Sequence, residues 1–134
     1  AQRLSAFALE HDLARLAVET SGGVDDIVVP RAPEIRLGGV PVSLPHAAFL
    51  QATEDGEAAL QAAVVAACAG AARVADLFCG VGTFALPLSR AAKVEAVDAA
   101  GPAVKALAAT GRVVTAHRDL FRRPLTAKEL AVFD

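Results

Sequence analysis

V-A-D-L-F-C-G-V-G-T-F-A-L-P, residues 74–87, is the stretch from which the fold is read. Val74 to Phe78 forms a short, mostly apolar run suited to a strand buried on both faces. The chain then bends through Gly80 and Gly82 and opens into a second apolar segment, Phe84 to Leu88. Strand, glycine loop and helix start is the order that sets backbone N–H groups and the positive end of a helix dipole beside a bound ligand. Gly80 to Ala85 also fits G-x-G-x-x-A, a permitted form of the dinucleotide fingerprint. Asp98 lies at about the spacing from which an acidic residue reaches a ribose hydroxyl.

On either side, strand and helix patterns alternate. Thr53 followed by Glu54, Asp55 and Glu57 reads as an N-cap with acids in the first turn, and Ala58–Ala69 as the helix that follows. Strand Arg73–Phe78 leads to helix Thr83–Arg90, strand Lys93–Asp98, helix Pro102–Ala109 and strand Arg112–Thr115. A polar segment then runs to a final expected strand, Leu130–Asp134. This βαβ period predicts an α/β fold, a Rossmann-like doubly wound parallel sheet, over residues 48–134. Residues 1–47 read as a small α+β segment. Its first part has helical spacing, Leu13–Val18 fits a helix or a strand beginning, and Ile35–Leu44 alternates about Gly38-Gly39 as a hairpin.

The 134 residues carry a net charge of −2, with 54% hydrophobic and 21% charged residues. That balance gives no global electrostatic footprint for nucleic acid, and the cluster Arg118, Arg122, Arg123 and Lys128 is read as a solvated loop face ahead of an RNA-phosphate contact. No apolar run approaches the ~18 residues of a membrane span, and no signal-peptide pattern opens the chain. The two cysteines, Cys68 and Cys79, sit outside any metal-type cluster and fit reduced thiols in a cytoplasmic setting. The sequence holds no methionine and ends within an expected strand, so a fragment of a longer protein is expected. A strand edge left open there would favour self-association.

The words around the glycines are more specific than the glycines. Asp76 to Leu88, D-L-F-C-G-V-G-T-F-A-L-P-L, resembles the cofactor loop of the S-adenosylmethionine-dependent RNA (uracil-5-)-methyltransferases, which make 5-methyluridine in ribosomal and transfer RNA. Leu44–Thr53, L-P-H-A-A-F-L-Q-A-T, resembles the same family's phenylalanine–x–glutamine segment. Ala131–Asp134 is similar to the strand that leads into the family's Asp-Pro-Pro-Arg motif. Three separated matches in the right order imply a truncated class I methyltransferase domain with S-adenosylmethionine as cofactor and RNA as substrate, ribosomal RNA placed ahead of transfer RNA.

Carried onto this sequence, the resemblance implies that Gln51, Phe78, Gly80, Gly82, Thr83, Asp98, Asp119 and Asp134 bind the cofactor. Phe78 would wall the pocket and Thr83 would offer a hydroxyl where the family often has asparagine. Asp98 would hold the ribose, where the related enzymes usually have glutamate, and Asp119 would reach the adenine amino group. The family's catalytic cysteine and general base are expected beyond residue 134, so no catalytic residue is assigned in this chain, and Cys79 is read as a packing residue. Structural readings stand beside these: a strand-end helix cap for Asp98, a local turn for Asp119, an exposed loop residue for Gln51. The competing functions are an NAD(P)-binding Rossmann domain, favoured by the glycine spacing, and a non-catalytic nucleotide- or RNA-binding module.

Overall fold

The computed structural model describes residues 2–134, which divide into two units, one up to Glu34 and the other Ile35–Asp134. In the first unit, helix α1 (Gln2–Glu10) precedes an antiparallel pair, β1 (Leu16–Thr20) and β2 (Gly23–Val28). Arg31 closes this unit locally, donating through Nη1 to Oδ1 of Asp12 at 2.5 Å and through Nη2 to the Asp12 carbonyl at 2.8 Å.

The second unit opens with the expected hairpin, β3 (Glu34–Leu37) and β4 (Val40–Ser43). The hairpin belongs with the parallel sheet rather than with the amino-terminal residues, because Leu37 and Val42 are almost wholly buried within the main core. Gly38 is the reason the turn can sit there. It has φ +55°, and a Cβ at this position would lie 2.9 Å from the backbone nitrogen of Pro87. Helix α2 (Glu54–Ala67) then begins at Thr53, whose hydroxyl accepts from the Gly56 N–H at 3.1 Å, with Glu54, Asp55 and Glu57 at the positive end of its dipole.

The parallel sheet has the order β5 (Arg73–Leu77), β6 (Lys93–Asp98), β7 (Val114–His117). The intervening helices are α3 (Ala85–Leu88) and α4 (Gly101–Ala108). Strand alternation divides the sheet into two faces. Val94 and Ala96 pack with Leu86, Leu88, Ala103 and Leu107 on the helical side. Val97, equally buried, points to the other face, where it shares a small cavity with Ala116, Leu125 and Glu129. Both faces are therefore flanked, by α3 and α4 on one side and by the segment containing α5 (Ala127–Leu130) on the other.

The expected strand Leu130–Asp134 is not formed. A capping box takes precedence: Thr126 Oγ1 accepts from the Glu129 N–H at 3.3 Å and the Glu129 carboxylate accepts from the Thr126 N–H at 2.7 Å. Arg118 holds the same carboxylate at 2.6 Å, and the resulting helix consumes Leu130. Asp134 still bonds to the sheet edge, its N–H donating to the Arg73 carbonyl at 3.0 Å, and the Arg73 guanidinium lies over the Phe133 ring.

Leu107 is wholly buried beneath the glycine loop, and a Cβ at Gly82 would lie 2.5 Å from Leu107 Cδ1. Leu107→Ala should cost about 2–5 kcal/mol in urea denaturation. Gly82→Ala should also destabilise, through crowding and through its φ of +99°. In the Leu107→Ala background the cost of Gly82→Ala should fall, leaving the backbone part; strictly additive costs would show that the two positions do not press on one another.

Candidate cofactor site

The loop from β5 to α3 begins with a backbone exception. Phe78 has φ +63°, a conformation that a bulky residue seldom adopts and that costs roughly 1–3 kcal/mol. Its N–H and that of Cys79 both donate to the Val97 carbonyl, at 2.8 and 3.2 Å, so the end of β5 is tied to β6 as the chain turns. The Phe78 ring is left half exposed at the rim of a cleft.

Asp98, the last residue of β6, fixes the other side. Its Oδ2 accepts from the Gly80 N–H at 2.8 Å and its Oδ1 from the Ala100 N–H at 2.7 Å. One carboxylate thus joins the β5–α3 loop to the start of α4. A carboxylate has capacity for about four hydrogen bonds, so acceptor sites remain for a ligand. The next strand is locked on as well, since the Asp98 carbonyl accepts from the Arg118 N–H and His117 Nε2 donates to the Ala99 carbonyl, both at 2.9 Å.

Between these loops and the segment after β4 lies a cleft of about 530 Å³, within the usual range for small-molecule sites. Gln51, Phe78, Gly80, Thr83 and Asp98 line it together, joined by Phe49, Ala48 and Pro102. Gly82 lies in the same loop, turned onto Leu107. The other two expected residues are not among those lining the cleft. Asp119 follows β7 and its Oδ1 accepts from the N–H groups of Phe121 and Arg122, at 3.0 and 3.1 Å, which is the local turn. Asp134 lies at the start of β5, where its Oδ2 accepts from Ala72 and Arg73 at 2.7 and 2.8 Å. Those bonds hold its carboxyl below the usual carboxylate range.

Asp76 belongs to the site's support and was not singled out from sequence. It sits on β5 behind the loop, where burial pushes its pKa up to about 6, the Ala85 N–H opposes the shift and nearby Asp98 adds to it. Its Oδ2 is buried without a hydrogen-bond partner. The available signal was an acid at the same strand parity as Val74, on the face that turns inward. Burial, with Asp76 and Asp98 nearby, also pushes the Cys79 thiol up to about 12, so Cys79 stays protonated and packs.

Among the described residues no lysine or arginine lines the cleft, and Asp98 is the one carboxylate there. The Gly80 N–H of the loop is already given to Asp98. Helix α3, with four residues, adds little dipole. The arrangement suits a ligand with a cationic or zwitterionic part better than a polyanion. Among the described residues no group of His, Cys, Asp and Glu could hold a metal ion, and no helix is long and apolar enough to cross a membrane.

Sheet order, crossover helices and a cleft at the carboxyl ends of the strands define a Rossmann-like α/β fold. The crystal structure of Trm5b from Pyrococcus abyssi shares this fold, with a TM-score of 0.52 over 75% of this chain and 34% of that one, at 22% identity. In sequence the chain is 44% identical, over 99% of its length, to a Zymomonas mobilis protein named as an uncharacterized RNA methyltransferase. It is 45% identical, over 97% of its length, to one of the same description from Mesorhizobium japonicum. The chain spans about a third of the length of these curated relatives, 35% and 32%. No family model matches.

The raised pKa of Asp76 has a defined sign in stability. Between its ordinary value of 3.8 and about 6, the folded chain holds a proton that the unfolded chain has released. Stability from this group is therefore complete below pH ~4 and lost as the pH rises through 6. Asp76→Asn should remove that loss, so the variant should gain up to about 2–3 kcal/mol on the parent between pH 4 and pH 7. Denaturation midpoints across this range test it, and parallel pH profiles would refute it.

Proposed function

We propose that this chain is the S-adenosylmethionine-binding portion of an RNA methyltransferase that acts on C5 of uridine. The observation that carries the cofactor assignment is the charge of the cleft: an acid at the end of β6, no lysine or arginine on the walls, and the Gly80 amide occupied by Asp98. The naming of the Zymomonas and Mesorhizobium relatives as RNA methyltransferases supports RNA as the methyl acceptor. The choice of uracil C5 rests on the resemblance of Leu44–Thr53, Asp76–Leu88 and Ala131–Asp134 to the uracil-5 enzymes. Ribosomal RNA is placed ahead of transfer RNA on the same ground, and a cytoplasmic setting follows from that substrate.

Bound S-adenosylmethionine supplies an electrophilic methyl group on a sulfonium. The chain's own residues bind and orient. Asp98 accepts from the ribose diol while keeping the two loops joined, and the glycine loop lets the amino-acid portion lie against the backbone. Gln51 and Thr83 contribute polar contacts, and Phe78 and Phe49 screen the cleft from water. Asp119 and Asp134 would join the site only if their present backbone partners were exchanged for ligand. The catalytic cysteine and base belong, in this reading, to sequence after Asp134.

Calorimetric titration with S-adenosylhomocysteine, run beside the nicotinamide dinucleotide, tests the assignment. Saturable binding of the first alone is expected, weakened about 10- to 100-fold by Asp98→Ala through loss of charge-assisted hydrogen bonds. Binding of the dinucleotide alone would overturn it in favour of the glycine-spacing reading.

A further inference from the structure

Beside the cleft, Phe121 is 88% exposed, the most exposed of the large apolar side chains. Its ring lies 5.2 Å from that of Phe78, centroid to centroid and tilted by 47°, so it adjoins the cleft rim. The backbone beneath it is fixed. Asp119 Oδ1 accepts from the N–H groups of Phe121 and Arg122, and the Asp119 carbonyl accepts from the Arg123 N–H at 2.8 Å. Arg122 has a side chain 87% exposed, and its 3.6 Å approach to Asp119 is an ion pair without a tight hydrogen bond. Arg123 is exposed as well. Arg118, by contrast, is held by Glu129 and by the carbonyls of Arg123 and Pro124.

From this arrangement we infer that Phe121, flanked by Arg122 and Arg123, is a stacking platform for an unpaired nucleotide of the RNA next to the one that enters the cleft. A rigidly presented ring with free π-surface and adjacent cations is the combination by which proteins hold single-stranded nucleic acid: base on ring, phosphate on arginine. An apolar protein partner fits less well, because the residues on the carboxyl side of the ring are cationic rather than a continuing apolar patch. Contact with Phe78 sets the spacing, so that a strand stacked on Phe121 delivers its neighbouring nucleotide to the cofactor cleft. The platform rests on the reading of the chain as part of an RNA methyltransferase, and for Arg122 and Arg123 it favours an RNA-phosphate contact over a merely solvated loop face.

The test uses the full chain as its gene encodes it, with a fluorescently labelled single-stranded oligouridylate as RNA probe and S-adenosylhomocysteine as cofactor probe. Phe121→Ala should weaken oligouridylate binding by about 5- to 100-fold, Phe121→Trp should restore it, and cofactor affinity should stay within about twofold. Arg122→Gln and Arg123→Gln should each flatten the dependence of log affinity on log salt by about one unit or slightly less. If the parent methylates RNA and Phe121→Ala binds the oligomer as tightly as the parent, the platform is rejected while the methyltransferase reading stands. If the parent binds S-adenosylhomocysteine but neither binds nor methylates RNA, that reading falls and the platform with it. A Phe121→Ala protein that loses thermal stability and cofactor affinity, unrescued by tryptophan, would place the ring inside a protein interface and overturn the proposal.

Discussion

The carboxylate of Asp98 is the point on which the site depends. Its two oxygens take the N–H groups of Gly80 and Ala100, residues that follow different strands, and its carbonyl takes that of Arg118 beyond a third. Pairing of β5 with β6 and β6 with β7 brings the three strand ends level, but strand pairing alone does not set the path of the loops beyond them. An ionised acceptor does so more firmly than a neutral one, since such bonds are shorter and stronger. The strained turn at Phe78 persists because the Val97 carbonyl below it and Asp98 beside it both fix the chain.

The same placement gives the cleft its electrical character. Two acids, Asp76 behind the glycine loop and Asp98 at its edge, are close enough that each disfavours a second negative charge nearby. That is a poor setting for a diphosphate and a good one for a cation. Spacing of glycines, which is common to both kinds of ligand site, carries no information on this point. Charge around the loop does.

Much of this was legible in the sequence because the signals were local. The Thr53 cap with its following acids, the Gly38-Gly39 hairpin and the alternation of strands with helices all depend on residues a few positions apart. Leu130–Asp134 was misread because a short apolar run was weighed above the Thr126–Glu129 box just before it, and the box decides the structure. The partners of Asp119 and Asp134 were illegible for another reason. A strand-end acid can satisfy a backbone turn or a ligand equally well, and the difference lies in a few ångströms of tertiary placement. Asp76 was passed over because its inward direction follows from strand parity, whereas its missing hydrogen-bond partner follows only from three-dimensional packing.

The seat of Gly38 against Pro87 bears on how such a protein can be cut and recombined. A fragment begun at residue 48, where the sequence pattern changes, would leave behind Leu37 and Val42 and strip two fully enclosed side chains from the core. A fragment begun at Ile35 would keep them. The hairpin is thus inherited with the parallel-sheet portion, and a gene-fusion junction that keeps this core whole should fall before it, near Glu34.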